Sequence, residues 1–362
     1  MTRRGSLLAA LLLCGTAALP ALAEGPSGLT NARAETRDAS AGLERAFRAA
    51  AASSSPVWIG YAVPSPEGHS LCCGNTWDGN GCSGACALEP DHVSQTVQRS
   101  SRGGLASGVR MLVFHRVEKG QTTRLRLFSD ACTIDGGGMP VVWLTGVRPS
   151  ESVALLAALV AGDRQREDEE PGDGRPAREG LTAIALHDDP SADAALERYA
   201  LPPSAESIRK KAMFWLGNSR GRRGYELLKR LSTEEPSDSV RKNLTFALSQ
   251  SPVSEAVSTL IDMAKRDESP GVRGQALFWL AQKAGRRASE AITAAIRDDP
   301  ETEVKKKAVF ALTQLPSEES TTQLIHVAKT NRNPVVRKQA LFWLGQSKDP
   351  RALGYIEDVL MK

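Results

Sequence analysis

Residues 272–282 read VRGQALFWLAQ, and numbered from zero at the valine they place apolar side chains at positions 0, 4, 7 and 8. Wound as a helix at about 100° per residue, those positions share one face, and position 6 lies opposite them. The same pattern opens at Ile208, Val240, Val304 and Val336, with 32 residues from each start to the next. A fixed period without slip is one structural unit copied in tandem, the mark of a solenoid. A second stripe keeps the same spacing: Leu228, Leu260, Ile292, Leu324 and Ile356, followed three residues on by Leu231, Met263, Ala295, Val327 and Val359. Such i, i+3 pairing is the buried edge of a short amphipathic helix. Each unit is therefore a helix pair that buries its stripes only by stacking on its neighbours. Ser269-Pro270, Asp299-Pro300 and Asn333-Pro334 read as N-cap residues followed by proline in the first turn.

The last copy runs Val336-Arg337-Lys338-Gln339-Ala340-Leu341-Phe342-Trp343-Leu344-Gly345, with Asp349-Pro350 after it. This resembles the short bacterial HEAT repeats known as PBS-lyase-like, over residues 177–362. The resemblance implies an α-solenoid in which the second helix of each pair lines the concave face. Some members of that family act on tetrapyrroles and others are interaction scaffolds. A related helical-repeat hydroxylase holds iron through His-Glu pairs. Here none of His69, His92, His115, His187 and His326 is followed by Glu.

Upstream the hydrophobic pattern changes period. Residues 57–63 (VWIGYAV) read as a strand closed by Pro64, and residues 109–117 and 122–128 as a hairpin around Glu118-Lys119-Gly120-Gln121. Residues 141–144 suit a fourth strand and residues 151–161 a helix. The predicted organisation is a signal peptide over 1–23, a loosely ordered lead-in with one short helix over 24–55, and a Cys-rich α+β domain over 56–162. A charged linker follows over 163–176, then the HEAT-like solenoid over 177–362, which starts weakly at residues 181–186.

Composition changes the picture at two points. Arg3 and Arg4 before an apolar run, then Ala21-Leu22-Ala23, form an export signal with a cleavage site. That predicts a periplasmic or extracellular protein with no membrane span once the signal is removed. In an oxidising compartment, Cys72, Cys73, Cys82, Cys86 and Cys132 read as disulfide candidates stapling a loop poor in apolar residues, with five leaving one over. Their spacing lacks the paired C-x2-C knuckles of a zinc site, so no metal or other cofactor is expected. The formal charge, 46 basic against 42 acidic residues, is too even to argue for nucleic acid.

Several short patterns imitate catalysis. Gly217-Asn218-Ser219-Arg220-Gly221 fits G-x-S-x-G but follows a helix, so no nucleophile elbow forms. Ser207 and Ser239, each three residues before Lys210 and Lys242, fit S-x-x-K but are helix starts running into the repeat itself. Gly136-Gly137-Gly138 is a turn.

The informative feature is position 6, which is Phe in every unit: Phe214, Phe246, Phe278, Phe310 and Phe342. Position 2 carries Lys210, Lys242, Lys306 and Lys338, with Gly274 between; position 10 carries Asn218, Gln250, Gln282, Gln314 and Gln346. Residues at i, i+4 and i+8 stack along one helix face, so five stacked units make cationic, aromatic and amide rows. Such rows suit an extended, polar or acidic protein segment; the Phe rings also suit simple packing on one another. Trp215, Trp279 and Trp343 at position 7 alternate with Ala247 and Ala311 and are expected on the packed side. Basic residues at position 1 (Arg209, Arg241, Arg273, Lys305, Arg337) are expected to bond helix ends. The resulting reading is a non-enzymatic exported scaffold that binds protein. The alternative is a thiol/disulfide-active envelope enzyme centred on Cys72-Cys73, with the solenoid recruiting its substrate; a bilin-lyase-like activity rests on the repeat fold alone.

Overall fold

A computed structural model describes residues 28–66, 86–89, 110–130, 132–162 and 176–361. Residues 1–23, expected as a signal peptide, the expected linker up to residue 175, and Cys72, Cys73 and Cys82 lie outside the described residues. The first half is built on a five-stranded mixed sheet. Its strands are β2 (Arg33–Asp38), β3 (Val57–Pro64), β4 (Arg110–Glu118), β5 (Gln121–Ser129) and β7 (Pro140–Thr145), in the order β2-β7-β3-β4-β5. The short strands β1 (Leu29–Thr30) and β6 (Ile134–Asp135) pair separately. The hairpin turn stands where expected, with Lys119 and Gly120 at φ 50° and 75°, as a tight primed turn requires. Residues 28–55 are not a loose lead-in. They hold β2 and the helix α1 (Leu43–Ala51). β2 reads RAETRD, without apolar alternation, because it is an edge strand held through its backbone to β7.

Alternation along the central strands makes two cores. Trp58, Leu112, Phe114, Phe128 and Trp143 point to one side and pack with Cys86, Leu88 and Cys132. Val57, Ile59, Tyr61, Met111, Val113 and Leu125 point to the other, towards α1 and α2 (Pro149–Gly162).

From Pro176 the chain is helical: α3 (Pro176–Ala185), α4 (Pro190–Ala200), α5 (Glu206–Ser219), α6 (Gly221–Glu234), α7 (Asp238–Gln250), α8 (Ala256–Arg266) and α9 (Pro270–Ala284). A 3₁₀ turn then leads to α10 (Ser289–Asp298), α11 (Thr302–Leu312), α12 (Ser317–Thr330), α13 (Pro334–Gly345) and α14 (Pro350–Leu360). The 32-residue motif forms the odd-numbered helices from α5 to α13, and the second stripe forms the even-numbered ones. The odd-numbered helices pack closely side by side, whereas the even-numbered ones touch one another less. An array that is tighter along one edge curves toward it, so α5, α7, α9, α11 and α13 are the inner helices. Gly217 makes one close approach possible: a Cβ there would stand 2.1 Å from the Ala247 carbonyl oxygen on α7. The weak start at residues 181–186 is a complete helix pair, α3 and α4. The far end is atypical without being polar, since Leu353, Val359 and Leu360 of α14 stay exposed.

The sheet and the array meet directly, a point the sequence left open. α2 packs on α3 and α4, β5 meets α3, and a single apolar core runs from the sheet through the helices. Polar bonds cross this joint, buried ones among Tyr199, Tyr61, Ser152 and His187 and one at the surface between Asp188 and Pro64. Tyr199 donates its hydroxyl to the Ala157 carbonyl at 2.5 Å, and the Asp188 amide donates to the Pro64 carbonyl at 3.1 Å. Ser152 Oγ lies 3.0 Å from Tyr61 Oη and 2.9 Å from His187 Nε2, and Tyr61 Oη lies 3.2 Å from His115 Nε2. Burial depresses the His115 pKa to about 3 and that of His187 to about 4, and raises the Tyr61 phenol.

Candidate functional site: the inner face of the array

The five Phe at position 6 come together. Phe214 stacks on Phe246 with ring centroids 5.7 Å apart, and Phe278 on Phe310 at 6.0 Å. The gaps between these pairs are bridged by indoles: Phe246 lies 4.7 Å from Trp279, and Phe310 lies 5.0 Å from Trp343. Each Trp also meets the Phe beside it edge-on, at 4.8 to 5.1 Å. The result is one unbroken strip of eight rings across five inner helices. Spacing this short between rings on neighbouring helices is what a concave face produces.

Position 7 is corrected by this arrangement. Ala247 and Ala311 are buried as expected, but Trp215, Trp279 and Trp343 are only half-buried and belong to the strip. Position 7 sits at the rim of the packed face, where a methyl stays inside and an indole reaches out over the ring of the preceding unit. Alternation with Ala keeps two indoles from meeting on adjacent helices. Phe214, Phe246, Phe278 and Phe310 are half-buried, and Phe342 is 54% exposed. The rings therefore pack on one another and still present a surface.

The cationic row is tempered by acids. Lys210 pairs with Glu206 at 3.2 Å and donates to Ser239 at 2.7 Å; Lys242 lies 3.6 Å from Asp238, and Lys306 3.0 Å from Glu303. Lys338 is exposed. Gly274 interrupts the row because Lys307 lies across it: a Cβ there would stand 2.3 Å from Lys307 Cδ. Lys211 lies over the Trp215 ring at 5.6 Å, and burial lowers its pKa. The amide row is mostly at the surface. Gln282 Nε2 donates to Gln314 Oε1 at 2.7 Å, and Asn218, Gln250 and Gln346 are exposed.

Position 1 bonds loops, as expected, and does so through partners that sequence reasoning missed. Arg241 grips Asp267 with two bonds at 2.9 and 3.1 Å, and Arg273 grips Asp299 at 2.7 and 3.0 Å; Arg209 pairs with Glu235. Arg241 and Arg273 also donate to carbonyls of the preceding loop. The signal was present, since Glu235, Asp267 and Asp299 are themselves 32 residues apart, each 26 after its arginine. One step further both partners change together, to Lys305 and Asn331. Asp299 is consequently not the N-cap of α11, which begins at Thr302 with Glu301 at its cap. Asn333 does cap α13, accepting from the Val335 amide.

Cys132 is buried, and desolvation raises its thiol pKa, the reverse of what a reactive thiolate needs. Among the described residues no cluster of His, Cys, Asp and Glu has metal-site geometry. Among them, too, no helix is long and apolar enough to cross a membrane.

The family described as HEAT repeats matches residues 225–305, 257–345 and 289–362. Residues 225–362 match HEAT repeats, and four of the five inner helices, α7, α9, α11 and α13, lie within them; α5 precedes the matched residues. No curated protein matches the chain. Among solved structures, human deoxyhypusine hydroxylase in complex with glycerol is similar at 16% identity over 58% of this chain and 90% of that one, with a TM-score of 0.25. At that score the likeness carries no function across.

Proposed function

We propose that this chain is a non-enzymatic scaffold that holds an extended protein segment along the concave face of its HEAT array. The observation that carries the reading is the strip of eight rings, continuous over five inner helices and still half-exposed. A strip meant only for packing has no reason to stay wet. Charge supports it. The five inner helices carry twelve Lys and Arg against three acids, Glu206, Asp238 and Glu303, and nine remain once Arg209, Arg241 and Arg273 are set against their loop acids. The outer helices α6, α8, α10, α12 and α14 carry nine of each sign. Polar or acidic segments are the natural guests. Export to the periplasm or beyond, with disulfides stapling the Cys-rich region, belongs to the same proposal; it is supported by the leader pattern and by Cys86 being half of a disulfide.

The test is capture from an envelope fraction with the full mature chain as bait, repeated with Phe246, Phe278 and Phe310 all changed to Ser. The expected result is a defined protein held by the natural chain and lost by the variant, while circular dichroism shows both folded. Equal retention by the folded variant would rule out the concave face.

A further inference from the structure

We infer that the hollow between α5, α7 and α9 is a recognition pocket for a short acidic and aromatic stretch of an extended polypeptide. The inference rests on the scaffold reading and adds a place and a guest chemistry to it. The hollow measures about 340 Å³, at the small end of ligand sites, which suits one or two residues of a chain. Phe246 and Trp279 form its apolar part. Lys210 enters from α5, Ser239, Lys242 and Asn243 from α7, and Gln275 from α9.

Two features mark this place. First, Asn243 Oδ1 is a buried acceptor without a hydrogen-bond partner; elsewhere along the strip the unmatched buried atoms are donors, the indole N–H groups of Trp215 and Trp343. A buried acceptor left unmatched is uncommon and costly, and its residue lines an open hollow on the inner face. Second, Asn243 is the shortest side chain at position 3, which is Lys211 and Lys307 in two other units and Gln275 and Gln339 in the remaining two. Two units along, Lys307 lies across Gly274, the counterpart of Lys210. At α7 the shorter Asn leaves the corresponding space open.

The chemistry of a guest follows from these groups. An aromatic side chain finds ring faces in Phe246 and Trp279. Asn243 lines the hollow, and its amide can pair with a guest's backbone once the side chain turns towards it. A carboxylate beside the aromatic residue meets Lys210 and Lys242. Their present partners, Glu206 and Asp238, form exposed ion pairs that solvent screens strongly, so a guest carboxylate competes with them readily.

The experiment uses the full chain and a panel of dye-labelled extended hexapeptides read by fluorescence anisotropy. The panel holds Glu-Phe, Gln-Phe, Lys-Phe and Glu-Ala cores, with a labelled oligothymidylate as a further probe. The Glu-Phe core is expected to bind at least about tenfold tighter than the Lys-Phe and Glu-Ala cores. Asn243→Lys installs the side chain that two other units already carry and fills the hollow, so in a folded variant it should remove the preference for Phe over Ala, while its added charge leaves the preference for Glu over Lys in place; Lys242→Gln should weaken only the acidic peptides. Equal binding of all peptides, or a Phe-over-Ala preference untouched by Asn243→Lys in a folded variant, overturns the pocket and leaves the wider scaffold standing. Tighter binding of the oligothymidylate, or no binding by any probe, overturns the pocket; the oligothymidylate result overturns the protein-segment reading as well.

Discussion

Phe278 is half-buried and stacked on Phe310, and that intermediate state decides what its removal does. A fully buried Phe replaced by Ala costs about 3–5 kcal/mol through lost transfer energy and a residual cavity. Phe278→Ala should cost less, roughly 1–3 kcal/mol, and Trp279→Ala a similar amount, because both rings are already partly wet. Leu277→Ala, at a fully buried position, should cost more than either, and the exposed Phe342→Ala about 0.5 kcal/mol or less. Denaturant midpoints at constant slope give the ordering. A Phe278→Ala variant as damaged as Leu277→Ala would show that the strip is core. The residue scale also shows why position 7 was misplaced in the sequence reading. A helical wheel gives an angle for the Cβ, whereas an indole reaches several ångströms beyond it.

At the scale of the element, the loops are held by the arginine at position 1 and an acid 26 residues on. Arg273 and Asp299 are both buried, so removing one partner strands a charge, at a cost of about 3–5 kcal/mol. Asp299→Asn should therefore be strongly destabilising. The double change Arg273→Lys with Asp299→Asn copies the Lys305 and Asn331 combination already present one unit later, and should cost clearly less than the sum of its parts. A thermodynamic cycle over the four proteins measures that coupling. An additive result would mean that the loops are set by backbone contacts alone. This network was half-legible: the arginine row was recognised and its role anticipated. The acids escaped because they lie in loops, outside the helical period being followed.

At the scale of the whole molecule, the sheet and the array share one core, and two histidines are buried neutral at their joint. Their folded-state pKa values, about 3 for His115 and about 4 for His187, lie below the ordinary 6.5. The unfolded chain therefore binds more protons between those limits. The stability tied to these groups is complete above pH 6.5 and is lost as pH falls through the range towards 4. At pH 5 the loss is roughly 2 kcal/mol for each histidine. Unfolding free energies measured from pH 7.5 to 5 should show that slope, and His187→Asn should lower stability at pH 7.5 while flattening the curve. An unchanged slope in His187→Asn would exclude the joint as its source. The shared core also changes the expectation for an isolated array. A fragment starting at Pro176 leaves Leu181, Ile184 and Tyr199 without the sheet and α2, so α3 and α4 should lose amide-exchange protection first. The later helices, held by neighbour-to-neighbour contacts, should keep theirs.

By itself the sequence determined the repeat, its period, the buried positions 0, 4 and 8 of the inner helices from α7 to α13, and the hairpin upstream. These are local properties: each unit sees only its neighbours, and 32-residue spacing brings like residues together whatever the rest of the chain does. Tertiary structure alone decided three things. It set an edge strand with no hydrophobic signature against β7, because backbone pairing leaves no trace in side-chain pattern. It joined sheet to array through Tyr61, Ser152, His115 and His187, which lie far apart in sequence and have no common period. And it turned Phe and Trp from two faces of a helical wheel into one strip, because only the curvature of the stacked inner helices brings their rings within contact.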